Sequence, residues 1–165
     1  MMRRLLVPVL ALVLAPAGLA ASFSFSVVTA SPVTVPTVTL SGDDQTKTFT
    51  VTTQVAYTGS GNTAGWKVQA SSTTLTYATT HTLPAMQVTA GSYTCQSGCT
   101  SNPSPTGVTY PIALSATAAT IYNAAANSGR GTFRVSNTFQ VTYPASAVAG
   151  TYSATLTLTG ATGPT

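Results

Sequence analysis

The chain has 165 residues, enough for one domain of ordinary size and too few for two comfortable ones. Only 5% of them are charged, Glu is absent, and the sole carboxylate side chains are Asp43 and Asp44. That leaves almost no room for paired-carboxylate catalysis, acid–base work by Glu or carboxylate-rich metal cages. Polarity comes instead from hydroxyls, since roughly three in ten residues are Ser or Thr, against 44% apolar.

Residues 1–20 read as a secretory leader. Met1-Met2-Arg3-Arg4 is a basic start, Leu5 to Ala15 is an apolar run broken only by Pro8, and Gly18 and Ala20 are the small residues before a cut at Ala21. The apolar run is too short to span a membrane as a helix. Cleavage leaves Lys47, Lys67, Arg130 and Arg134 against Asp43 and Asp44, a formal charge of +2. Four scattered cations make no phosphate-tracking patch, so nucleic acid is not an expected partner, and no membrane span is expected after the leader.

The next segment, 21–48, reads as an N-terminal arm and first hairpin. Phe23, Phe25 and Val27 alternate with serines, and Pro32 and Pro36 then interrupt Val33, Val35, Val38 and Leu40. Proline confines such a segment to a sheet edge or a bulge. Phe23 to Leu40 is thus an ordinary first strand or a strand donated to a neighbouring molecule. Ser41-Gly42-Asp43-Asp44 predicts a hairpin turn from Val38–Leu40 into Lys47–Tyr57. Residues 49–165 then read as the body of the domain. Phe49, Val51, Val55 and Tyr57 share one parity, and Gly59-Ser60-Gly61-Asn62 separates them from Trp66, Val68 and Ala70. Trp66 is either a core anchor or, if exposed, a stacking platform for sugar rings.

Cys95 and Cys99 are expected to form a disulfide in a Gly/Pro-flanked loop, as suits an oxidising compartment. So short a loop stabilises by about 2 kcal/mol. Thr100 to Gly107 reads as a loop and Val108, Tyr110, Ile112 and Leu114 as a strand. Ala116 to Asn127 reads as a loop with at most one helical turn. Phe133, Val135, Phe139, Val141 and Tyr143 predict a long strand, and Tyr152, Ala154, Leu156 and Leu158 the last one. Period-two alternation of β-branched and aromatic residues predicts an all-β fold, an antiparallel β-sandwich of Ig-like or Greek-key type.

Chemistry is sparse. Gly129-Arg130-Gly131-Thr132 lacks the third glycine and the following helix of a nucleotide loop, and a turn explains it better. His81 is the single histidine, which leaves no metal-ligand set and no catalytic triad. No cofactor is expected.

Two stretches carry a family resemblance. Thr63-Ala64-Gly65-Trp66-Lys67-Val68 resembles the first signature of WxL cell-surface domains. Tyr143-Pro144-Ala145-Ser146-Ala147-Val148-Ala149-Gly150-Thr151-Tyr152-Ser153-Ala154-Thr155-Leu156-Thr157-Leu158-Thr159 resembles their closing signature, and the likeness extends over roughly Val51 to Pro164. Val68 stands where the family has Leu, and Leu158 where it has Trp. The resemblance implies a secreted, non-enzymatic β-sandwich held non-covalently on peptidoglycan or another cell-wall glycan. It maps ligand contact onto Trp66, Val68, Tyr152, Leu156, Thr157 and Leu158. The alternative is a self-assembling extracellular fibre or coat subunit that uses the arm as a donated strand, with itself or other surface proteins as partners.

Overall fold

The computed structural model describes residues 22–58 and 63–163. The leader and the 59–62 loop lie outside the described residues.

Ten antiparallel strands and no helix make up the described chain. In chain order they are β1 (Ser22–Val27), β2 (Gln45–Thr58), β3 (Trp66–Ser72), β4 (Thr76–Tyr77), β5 (His81–Thr82), β6 (Gln87–Ser101), β7 (Ile112–Ala113), β8 (Ala119–Ala124), β9 (Arg130–Tyr143) and β10 (Leu156–Thr162). A five-stranded sheet runs β1-β2-β9-β6-β7, and a three-stranded sheet runs β10-β3-β8. β4 and β5 form a separate ribbon. The two sheets curl around one core as a β-sandwich, with sequence-distant strands paired, β2 on β9 and β3 on β10.

Alternation builds that core. On β9, Phe133, Val135, Phe139 and Val141 are buried, while Arg134, Thr138 and Gln140 lie on the other face. On the neighbouring β2, Val51, Val55 and Tyr57 are buried too. The same parity also buries Thr53, whose hydroxyl donates to the Val135 carbonyl at 3.4 Å, and Asn137. β1 closes one side of the sandwich. It pairs with β2 of its own chain from Ser22↔Thr58 to Val27↔Thr53, while the Phe25 ring rests on Gly160 of β10. A Cβ on Gly160 would lie 2.5 Å from that ring, so the strand that crosses the seam needs a bare backbone beneath it.

Several expected elements differ. The hairpin expected at Ser41–Asp44 does not form: residues 33–41 carry no strand, and β2 takes β1 as its neighbour instead. Pro36 has no N–H to give a ladder, whereas Ser22–Val27 offers every one. Val108 to Leu114 is a strand only at Ile112–Ala113, again beside a proline, Pro111. Ala116 to Asn127, expected as a loop, contains β8. Its Ile121, Tyr122, Asn123 and Ala124 are all buried, so both faces are covered and alternation is erased. The loop that covers it is clamped by Asn123, whose side chain accepts from Thr106 N at 2.9 Å and donates to Thr106 O at 2.6 Å. The Cys95–Cys99 disulfide is formed, but inside β6 rather than in a loop. There it staples a stretch where the pairing with β9 slips between Cys95 and Ser97 and again before Ser101. The last strand starts at Leu156, and Tyr152 precedes it in the connection from β9.

Candidate functional site

The resemblance-derived residues separate into two groups. Trp66 and Val68 are buried without residue in the core. The Trp66 indole stacks with Tyr122 at 6.0 Å and tilts against Phe133 at 6.4 Å, and its N–H donates to the Gly129 carbonyl at 2.9 Å. Of the two roles open to it, the indole takes that of core anchor, and it has no ring face left for a sugar. Leu156 and Leu158 are half-buried on β10, and Thr157 is exposed between them. β10 lies directly against β3, with Gly160↔Val68 and Leu158↔Ala70 in register. The two motif ends are thus neighbouring strands of one sheet. Tyr152 belongs elsewhere.

Tyr152 borders a groove of about 330 Å³ formed where the β9–β10 connection meets the arm. Val38 and Leu40 supply one wall, Tyr143 at the end of β9 and Tyr152 supply aromatic surface, and Ala147 to Gly150 form the remainder. Local bonds shape the connection. Ala147 N donates to the Pro144 carbonyl at 2.8 Å, and the Tyr152 hydroxyl donates to the Val148 carbonyl at 3.0 Å. Ala145 N donates to Asp44 Oδ1 at 2.8 Å, which ties the turn before β2 to this loop. Val148 is 43% exposed, the most open large apolar side chain described.

The aromatic surface continues past the groove. Tyr77 on β4 tilts against Tyr152 at 5.7 Å, and His81 on β5 stacks on Tyr77 at 5.9 Å. Gly150 makes this approach possible, since a Cβ there would fall 2.5 Å from the Tyr77 ring. Four rings therefore form a partly exposed aromatic edge beside an uncharged depression. Burial raises the Tyr143 phenol above its usual range, so it faces the groove as a neutral group at physiological pH.

The groove is a shallow, open depression. Small-molecule clefts run about 300–1,000 Å³ and are largely apolar with a few polar groups. Its volume lies at the small end of that range. No charged side chain lines it, which favours a neutral ligand. His81 stacks on Tyr77, and the Asp44 carboxylate accepts a backbone N–H. Among the described residues no three of His, Cys, Asp and Glu gather as metal ligands, and no helix is long and apolar enough to cross a membrane. Sequence reasoning singled out the closing stretch that forms much of this groove, yet mapped ligand contact there onto Tyr152 alone. The site's other rings come from three separate places, β4, β5 and the end of β9, and of these only Tyr143 belongs to the closing stretch.

No family model matches the chain, and no curated protein matches it in sequence.

Proposed function

We propose that the protein is a secreted, non-catalytic cell-surface module that holds a cell-wall glycan, peptidoglycan foremost, in the groove between the arm and the β9–β10 connection. The observation that carries this reading is the uncharged groove edged by Tyr143 and Tyr152, with Tyr77 and His81 beyond. Sugar rings present apolar C–H faces that lie well on aromatic rings, and their hydroxyls tolerate an open, hydrated rim. The resemblance to WxL domains supports the same ligand class, with the contact moved from the tryptophan strand to the tyrosine after it.

The fibre alternative is less well supported. β1, the strand it would donate, pairs along its whole length with β2 of its own chain, and Phe23 and Phe25 pack on the core.

Sedimentation with isolated peptidoglycan sacculi tests the reading. The mature chain, residues 21–165, is expected in the pellet. Val148→Lys puts a charge into the neutral groove at an exposed position, and it is expected to remain in the supernatant with an unchanged unfolding midpoint. A folded Val148→Lys that pellets like the wild type would remove the groove from the account.

A further inference from the structure

We propose that the extended segment joining β1 to β2 is a site of O-glycosylation, with Thr34 and Thr37 as acceptors; this rests on the chain being exported. The segment Ser31-Pro32-Val33-Thr34-Val35-Pro36-Thr37-Val38-Thr39 combines hydroxyl residues with proline. That is the composition of O-glycosylated stalks, whose prolines keep the backbone extended and unpaired.

The structure adds three observations. First, the segment is held against the body by three apolar residues and a side-chain hydrogen bond. Val35 packs on the core, Val38 and Leu40 line the groove, and Gln45 Nε2 donates to the Thr39 carbonyl at 2.7 Å. Second, this anchoring leaves Thr34, Pro36 and Thr37 exposed. Third, residues 33–41 belong to no strand, so no ladder hydrogen bond has to break for the segment around both threonines to enter a transferase cleft. The exposed threonines of β2 differ on this last point. Thr46, Thr48 and Thr50 have their backbone in register with β9 and cannot be lifted out without breaking the sheet. The choice of acceptor thus follows from hydroxyl exposure on a strand-free backbone flanked by Pro32 and Pro36.

The step is a glycosyl transfer from a phosphate-activated sugar bound by a separate transferase. The threonine Oγ1 attacks the anomeric carbon and forms a C–O bond. The bond from that carbon to the phosphate oxygen breaks, the phosphate leaves with the electron pair, and the hydroxyl proton passes to a base of the transferase. The product hydrates a chain in which only 5% of residues are charged.

Intact-mass spectrometry of the chain recovered from its producing organism is the test, with fragmentation to locate any added mass. The wild type is expected to exceed the mass of residues 21–165 by whole sugar residues on Thr34, Thr37 or both. The Thr34→Val/Thr37→Val variant is expected to return to the bare polypeptide mass with the same unfolding midpoint. A processed wild type at bare mass overturns the modification and leaves the surface reading standing, as does sugar that persists in the double variant. A chain that still carries residues 1–20 overturns both.

Discussion

Asn137 is the most exposed weakness in the core, in energy though not in area. It lies at the middle of β9, between Val51 of β2 and Gly91 of β6, and is 1% accessible. Neither its Nδ2 nor its Oδ1 has a hydrogen-bond partner. A buried amide left unpaired costs about 1–3 kcal/mol on mutational scales. Leu keeps the branched shape of Asn with two methyl groups in place of the amide O and NH2, so Asn137→Leu removes the unpaired polar atoms. The substitution is expected to stabilise the fold by about 1–3 kcal/mol, or roughly 3–10 °C in melting temperature for a domain of this size. Urea unfolding should show a higher midpoint at constant slope. Asn137→Asp, which buries a carboxylate at the same point, should destabilise strongly. If Asn137→Leu instead lost more than about 1 kcal/mol, the amide would be engaged in a bond, and the reasoning would fail.

Other outcomes follow from the same packing. Tyr110, Tyr122 and Tyr143 are all held neutral by burial, and Tyr122 further by the neighbouring Tyr93 and Tyr110 phenols. The unfolded chain therefore ionises first as the pH passes the ordinary value of 10.0. The stability they contribute is full below that pH and falls above it. Tyr122→Phe should flatten this alkaline decline in thermal melts. Replacing Cys95 and Cys99 together with Ser should cost no more than about 2 kcal/mol and leave the circular dichroism spectrum unchanged, because the bridge closes only a short stretch of one strand. Gly129→Ala would place a Cβ 2.5 Å from Trp66 Nε1 at a residue whose φ is +70°. It should destabilise by about 1–3 kcal/mol and shift the emission of the single tryptophan to the red.

The strands legible in the sequence are those with one dry face and one wet face. β2, β3 and β9 keep strict parity for seven to fourteen residues, and their buried side chains are the ones alternation marks. β6 escaped because the pairing slips between Val88 and Ala90, which moves the inward positions from even to odd numbers. A period-two pattern cannot survive an inserted residue. β8 escaped because a loop covers its outer face, so Asn123 is as buried as Ile121. The hairpin expected at Ser41–Asp44 rested on local turn chemistry, which fixes a reversal of the chain but not its partner. Gly42 does adopt φ +84°, yet β2 pairs with a strand that begins 23 positions earlier in the chain. The groove was the least legible feature, since Val38, Tyr77, Tyr143 and Tyr152 meet only through the tertiary fold.

The central claim is that the ligand contact lies at the tyrosine groove and not at the tryptophan strand. Side-by-side sedimentation with sacculi of wild type, Trp66→Phe and Tyr143→Ala/Tyr152→Ala, each first shown to be folded by its melting curve, tests this most directly. The account predicts that wild type and Trp66→Phe pellet alike while the double tyrosine variant stays in solution. A folded tyrosine variant that still pellets, or a wild type that never does, would contradict it.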